Sequence, residues 1–144
     1  MWPPLLLGGV VSVVVLLGWS WPLAISPKPI VFWLAIALLI LGGALNAWGA
    51  LTMRRAGTNI SPSRPTTILV TSGPFRFSRN PLYVAGAVLL LGLALALNNL
   101  WGILALIPLS LVMHYGVILK EERYLDEKFG APYRQYRLTV RRYF

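Results

Sequence analysis

Four long apolar runs limit what this chain can fold into. They extend from Pro4 to Trp21, Pro29 to Met53, Pro81 to Leu97 and Leu100 to Leu119. A helix needs roughly 17 to 25 apolar residues to cross about 30 Å of hydrocarbon, and each run is near that length. Hydrophobic residues make up 57% of the chain and charged residues only 12%, which is too little polar material to cover a soluble globule. The sequence therefore predicts an all-α integral membrane protein with about four transmembrane helices.

Composition narrows the class of function further. A net charge of +9 on a soluble domain would suggest a nucleic-acid partner, but a chain this hydrophobic offers no water-exposed body for a basic patch, so we expect no nucleic acid. The absence of cysteine and the presence of a single histidine argue against a disulfide framework and against a metal site. No internal repeat divides the chain, and we expect one membrane-embedded domain over residues 1–144.

The basic residues predict the orientation of the spans, because Lys and Arg in short loops stay on the cytoplasmic side. Lys28 alone lies between the first two runs, and the Asn98-Asn99 turn carries no charge. The other twelve basic residues are Arg54, Arg55, Arg64, Arg76, Arg79, Lys120, Arg123, Lys128, Arg134, Arg137, Arg141 and Arg142. We therefore expect a multi-pass protein of a prokaryotic plasma membrane, with both termini and the tail 120–144 cytoplasmic.

The tail itself predicts an interfacial helical segment. Residues 121–129 are expected to continue the fourth helix, with Gly130 as a stop signal. From Tyr133 to Phe144, tyrosines alternate with arginines, a pattern typical of a segment that lies on an anionic leaflet.

The short Asn98-Asn99 turn predicts that spans three and four pack antiparallel, so that their cytoplasmic ends meet. Small residues, among them Gly42, Gly43 and Gly86, would let helix backbones approach closely. At the start of span three, Asn80-Pro81 is typical of a helix start with Asn80 as the capping residue. A free helix N-terminus with Arg76 and Arg79 beside it attracts a carboxylate or phosphate. The alternative is an ordinary capped span flanked by cytoplasmic arginines.

Glu121 and Glu122 follow span four, where the helix dipole disfavours negative charge, which suggests a cationic or hydroxyl-bearing partner. His114 lies seven residues earlier, so an α-helix would place it on the same face as Glu121, with Val117 between them. The alternatives are surface carboxylates bridged to nearby basic residues, and a histidine that is a packing residue, a proton carrier or a substrate contact.

Taken together, the two polar segments resemble the isoprenylcysteine carboxyl methyltransferase family, which is related to the phospholipid N-methyltransferases. The resemblance lies in Gly73 to Tyr83 (GPFRFSRNPLY), Glu121 to Leu125 (EERYL), Phe129-Gly130 and Tyr133 to Tyr136 (YRQY). It covers roughly residues 67–140 and is closest to prokaryotic-type members. Motifs of soluble nucleotide-binding folds, such as a glycine-rich turn after a strand, are absent.

The resemblance implies an enzyme that uses S-adenosylmethionine, releases S-adenosylhomocysteine and methylates a lipophilic acceptor that enters from the surrounding membrane lipids. It places the cofactor against Thr67, Ile68, Leu69, Val70, Phe75, Asn80, Pro81, Leu82, Tyr83, Glu121 and Glu122. We expect Arg79, His114 and Val117 to face the acceptor, while the catalytic residue, if any, and the oligomeric state are left open.

The acceptor is predicted less sharply. The leading prediction is carboxyl O-methylation of an isoprenylcysteine-like or other lipid-like substrate. Phospholipid N-methylation is the alternative. Val117 stands where eukaryotic members carry an arginine for the prenylcysteine carboxylate, which argues against prenylcysteine itself. A different class, a small four-span transporter, is disfavoured by the lack of ionisable residues in the centres of the first three spans. A scaffold protein, suggested by the small-residue helix faces, is a further alternative.

Overall fold

The computed structural model describes residues 3–26, 28–59 and 65–143, and every regular element in these ranges is helical. The α-helices are α1 (Pro3–Ser20), α2 (Pro29–Arg55), α3 (Pro81–Ala96), α4 (Leu100–Met113), α5 (Leu119–Phe129) and α6 (Ala131–Thr139). A 3-10 helix, Gly73–Arg76, precedes α3, and a π-helical turn, His114–Ile118, joins α4 to α5. The all-α prediction is therefore confirmed for the described part of the chain, and Arg64 lies outside it.

Each of the four predicted spans coincides with a helix, but the helices differ in length. Pro29–Arg55 and the continuous helix Leu100–Phe129 are long and apolar enough to cross a membrane. The apolar helices Leu5–Ser20 and Pro81–Ala96 are shorter. The 16 residues of α3 rise about 24 Å, which is less than the thickness of a typical hydrocarbon core. Two candidate spans are thus established, and the four-span arrangement stays a prediction.

The outer surface of the helices is apolar. Trp19 is 85% exposed, Ile40 67% and Ile107 65%, and many further large hydrophobic side chains are also exposed. A soluble monomer rarely exposes apolar area on this scale, because water penalises it. This surface and the two long apolar helices indicate a membrane protein.

The most extensive contact between described helices joins α2 to α3, and glycines lie in it. A Cβ atom at Gly42 would lie 2.8 Å from Leu89 Cγ, and one at Gly92 would lie 3.0 Å from the Leu39 backbone N. The predicted close approach is therefore confirmed at Gly42. It is wrong for Gly43 and Gly86, where a Cβ would meet open space, because both point away from the α2–α3 contact.

The end of the bundle far from the motif segments is tied together by the predicted Asn98-Asn99 turn. Asn98 Oδ1 accepts hydrogen bonds from the backbone N–H groups of Ile25 and Ser26, each at 2.9 Å. Asn99 caps α4 by accepting from Trp101 N at 3.0 Å and donates from Nδ2 to Val14 O at 3.0 Å. The α1–α2 loop and the α3–α4 turn consequently lie at one end, and the polar motifs lie at the other.

After α5 the chain turns sharply into α6. Gly130 has φ +59°, a left-handed conformation that favours glycine, and it ends α5 as predicted. The tyrosines of α6 do not face outward, as alternation along a membrane surface would require. Tyr133 is 1% exposed and Tyr136 7% exposed, because both pack inward against the protein. The arginines of α6 remain exposed.

Candidate functional site

The two polar motif segments meet at a hydrogen bond between Tyr83 and Glu121, and an ion pair between Arg79 and Glu122 also joins them. Tyr83, in the first turn of α3, donates from its hydroxyl to Glu121 Oε2 at 2.7 Å. Pro81 is the first residue of α3, and its fixed φ suits that position, so the helix starts where the sequence predicts. The ring of Tyr83 also packs against the buried core of Leu90, Leu109 and Met113. This contact places an ionisable side chain from each motif side by side.

The π-helical turn changes which residues share a face. Seven residues return to the same face only in an uninterrupted α-helix, whereas a π-turn takes up one extra residue. His114 starts this turn, so the α-helical spacing that placed it on the same face as Glu121 does not hold, and no hydrogen bond joins the two side chains among the described residues. Instead, His114 Nδ1 lies 2.6 Å from the Tyr143 hydroxyl, in hydrogen-bond contact. Val117 packs against the same apolar core as Tyr83.

Glu122 is the centre of a buried charge cluster. It is 7% exposed and accepts hydrogen bonds from Arg142 Nε and Nη2, both at 2.9 Å. Two parallel N–H···O bonds between a guanidinium and a carboxylate are the strongest common form of ion pair. Arg79 Nη1 approaches the same carboxylate at 3.1 Å. Hydrogen bonding to Glu122 raises the pKa of Arg142 above its usual value, so the guanidinium stays charged.

Arg79 has buried N–H donors that make no hydrogen bond to the described residues. Its side chain is 10% exposed, yet neither Nε nor Nη1 makes a hydrogen bond to any described residue. The contact of Nη1 with Glu122 is close enough for an ion pair, but its N–H direction does not meet hydrogen-bond geometry. A buried N–H group without an acceptor lowers stability, so this guanidinium is available to donate to a further anionic or carbonyl oxygen.

Asn80 occupies the predicted N-cap position of α3 but its side chain does not cap the helix. Nδ2 instead donates to the Arg142 carbonyl at 3.1 Å, and the Asn80 backbone N–H donates to Ser78 Oγ at 3.1 Å. Competition from the carbonyl of Arg142, a residue distant in sequence, explains why the local rule for Asn80 fails. The Asn80 side chain therefore makes no bond to the first turn of α3, which contains Tyr83 and follows Arg79.

The remaining predicted cofactor residues lie in the segment that precedes α3. Thr67 donates from its backbone N–H to Thr58 Oγ1 at 3.0 Å and from its hydroxyl to Gly57 O at 3.1 Å. These bonds tie the segment to the end of α2 rather than to Tyr83 or Glu121. Along the segment, Ile68 is exposed, Leu69 half-buried and Val70 buried. The roles of residues 67–70 stay predictions.

Phe75 is held from the other side, by α6. Its carbonyl accepts a hydrogen bond from the Tyr136 hydroxyl at 2.6 Å. Burial is the main reason that the pKa of Tyr136 lies above its usual value, and its hydroxyl therefore remains a donor. The family motif pointed to Phe75, but the contact that holds it comes from the tail.

Arg142, Tyr143 and Ser78 touch predicted site residues without having been singled out in the sequence. Arg142 is one of many arginines in the tail, and nothing in its spacing distinguishes it. Among the described residues no group of three His, Cys, Asp or Glu side chains could hold a metal ion.

Comparison with known families places residues 30–132 within the phospholipid methyltransferase family. The match covers well over half of the chain, and the chain belongs to this family, as the motif resemblance predicted. An uncharacterized protein of Haemophilus influenzae is 39% identical over 62 residues, which are 43% of this chain and 98% of that protein. No solved structure matches. The family makes the protein a membrane methyltransferase that acts on lipid-like substrates.

Proposed function

We propose that this protein transfers a methyl group from S-adenosylmethionine to a lipophilic acceptor held in the membrane. The observation that carries the proposal is the hydrogen bond between Tyr83 and Glu121, since it joins the two family motifs at one point. Residues that only stabilised their own helices would not have to contact each other. A site built from both motifs does require a contact of this kind.

The residues at this point suit the cofactor chemically. Glu121 uses Oε2 for Tyr83, and among the described residues no donor occupies Oε1, which leaves an acceptor for hydroxyl or ammonium groups. The first turn of α3, whose start the Asn80 side chain does not cap, suits a carboxylate. When bound, S-adenosylmethionine supplies an electrophilic methyl group. The residues that we propose to hold it are Thr67, Ile68, Leu69, Val70, Phe75, Asn80, Pro81, Leu82, Tyr83, Glu121 and Glu122.

The protein's part in methyl transfer is positioning, because the reaction is an in-line displacement that gains most from fixed geometry. Tyr83 and Glu121 hold each other by a hydrogen bond of 2.7 Å, and both side chains are half-buried. The acceptor would reach this site along the exposed apolar flank of the helices, past Val117 and His114. A carboxylate acceptor needs no base, and Arg79 could pair with its charge. An isoprenylcysteine-like or other lipid carboxylate fits this description.

Phospholipid N-methylation is the second candidate, and the description of the matched family favours it. An amine acceptor must lose a proton before it can attack. His114 is the imidazole that could take it, and Tyr143, in contact with Nδ1, would orient the ring. Replacement of His114 by Gln should then slow methylation of amines while sparing carboxylates.

We also propose the membrane arrangement that this function needs. Four helices would cross a plasma membrane, with the motif end, α6 and both termini in the cytoplasm, where S-adenosylmethionine is made. The basic residues around the motif end and the uncharged Asn98-Asn99 turn support this orientation.

Methyl transfer from labelled S-adenosylmethionine tests the proposal directly. The protein, reconstituted in nanodiscs, is offered prenylated thiol carboxylates, isoprenoid acids and phosphatidylethanolamine in separate reactions. We expect label in one lipid class, loss of activity in Glu121→Gln, and full activity in Glu127→Gln, whose carboxylate lies exposed on the same helix. Equal activity of wild type and Glu121→Gln would contradict the proposal.

A further inference from the structure

The four residues Val140 to Tyr143, called here the strap, cross both motif segments. The strap follows α6, starts with an extended residue at Val140 and lies outside residues 30–132, the part matched by the family. Its backbone contacts the turn before α3: Arg79 N donates to Arg141 O at 3.0 Å, and Ser78 Oγ donates to Arg142 O at 3.2 Å. The Asn80 side chain donates to the same Arg142 carbonyl.

The side chains of the strap hold the other segment. The Arg142 guanidinium makes its two hydrogen bonds to Glu122 in the first turn of α5, and the Tyr143 hydroxyl contacts His114 at the π-turn. Arg142 thus holds the start of α3 through its carbonyl and the start of α5 through its guanidinium. These are the two helix starts that carry Tyr83 and Glu121.

We propose that Arg142 is a positioning residue of the methyltransferase site, and that docking of the strap sets the distance between Tyr83 and Glu121. The inference rests on the proposed function, because it assigns the strap to that same cofactor site. Its physical basis is that a bidentate guanidinium fixes both the distance and the orientation of a carboxylate. Undocking would release Asn80 and Glu122 together and loosen the pair beside them.

The test uses the full chain in nanodiscs, purified with a histidine-free tag. Affinity for S-adenosylhomocysteine is measured for wild type, Arg142→Gln, Arg142→Lys and Arg134→Gln. Arg134 is the matched control, since it also joins the residues after Gly130 to α5. Its partner is Asp126, at 3.0 Å, and its side chain is 68% exposed. We expect Arg142→Gln to weaken binding about tenfold, within the usual range of coupling between sites. Arg142→Lys should recover part of this loss, and Arg134→Gln should match wild type.

Docking of the strap has its own reporter. His114 is the only histidine in the chain, so selective labelling of histidine with ¹⁵N gives the ring signals of a single imidazole. Tyr143→Phe defines the signals of His114 without its tyrosine contact. In Arg142→Gln the signals should move toward those positions, and S-adenosylhomocysteine should move them back, because coupling between two sites is reciprocal. A residue that contributed only to stability would give no such ligand response.

The outcomes separate the strap from the proposed function. If wild type binds S-adenosylhomocysteine and Arg142→Gln binds it equally well, the inference is wrong, whether or not the His114 signal has moved. If wild type fails to bind while the His114 signal shows a docked strap, the proposed function fails first, and the inference falls with it. If Arg142→Gln does not fold, Arg142→Lys replaces it in both measurements. We then expect a smaller loss of affinity and a smaller shift of the His114 signal.

Discussion

At the scale of single residues, two ion pairs join α5 to the residues that follow it, and they should contribute very differently to stability. Glu122 is buried against Arg142 and Arg79, whereas Asp126 pairs with an exposed Arg134. Glu122→Ala leaves two guanidinium groups without a counter-charge, and we expect it to lower the free energy of unfolding by roughly 3 kcal/mol. Asp126→Ala should cost less than about 1 kcal/mol. Equilibrium unfolding in mixed micelles measures both, and equal losses would contradict the burial of Glu122.

A second residue-scale prediction concerns the hydroxyl of Tyr83. Tyr83→Phe keeps the ring in the apolar core but removes the hydrogen bond to Glu121. We expect S-adenosylhomocysteine affinity to fall roughly tenfold, because Glu121 loses the group that orients it. The melting temperature should also fall, since the folded protein loses one hydrogen bond to a charged group. Tyr115→Phe is the control, since Tyr115 is 64% exposed. An unchanged affinity in Tyr83→Phe would show that this hydroxyl does not contribute to cofactor binding.

At the scale of elements, the packing of α2 on α3 gives a matched pair of glycines. Gly42→Ala would place a Cβ 2.8 Å from Leu89 Cγ, and we expect it to destabilise the protein by about 1 to 3 kcal/mol through overpacking. Gly43→Ala meets open space and should be neutral or stabilising by less than about 1 kcal/mol, because alanine favours helix. Unfolding measurements that reverse this order would mean that α2 is rotated about its axis.

The same elements show how far the sequence can be interpreted. Hydropathy predicted where the four apolar helices lie, and Pro81, Asn99 and Gly130 mark helix ends by local rules that hold in the structure. Long-range contacts were beyond those rules. The Arg142 carbonyl diverts Asn80 from its cap, and the π-turn at His114 breaks the α-helical spacing. Nothing local to Asn80 signals the first effect, because its cause lies 62 residues away along the chain.

At the scale of the whole molecule, the proposed topology can be tested with single cysteines, because the chain has none of its own. Ala24→Cys lies in the exposed α1–α2 loop, and Thr71→Cys and Gln135→Cys lie exposed near the motif end. We expect a membrane-impermeant maleimide to label Ala24→Cys in intact cells and the other two only after permeabilisation. Labelling of Ala24→Cys and Thr71→Cys from the same side would contradict a four-span arrangement.

The central claim for the whole molecule is that the meeting of α3 and α5 creates a cofactor site. Calorimetric titration of S-adenosylhomocysteine into the protein in nanodiscs tests it most directly, with Glu121→Gln beside the exposed control Glu127→Gln. The account predicts saturable binding by wild type and by Glu127→Gln, and loss of binding in a Glu121→Gln protein that remains folded. Absence of binding by folded wild-type protein, or equal binding by Glu121→Gln, would contradict it.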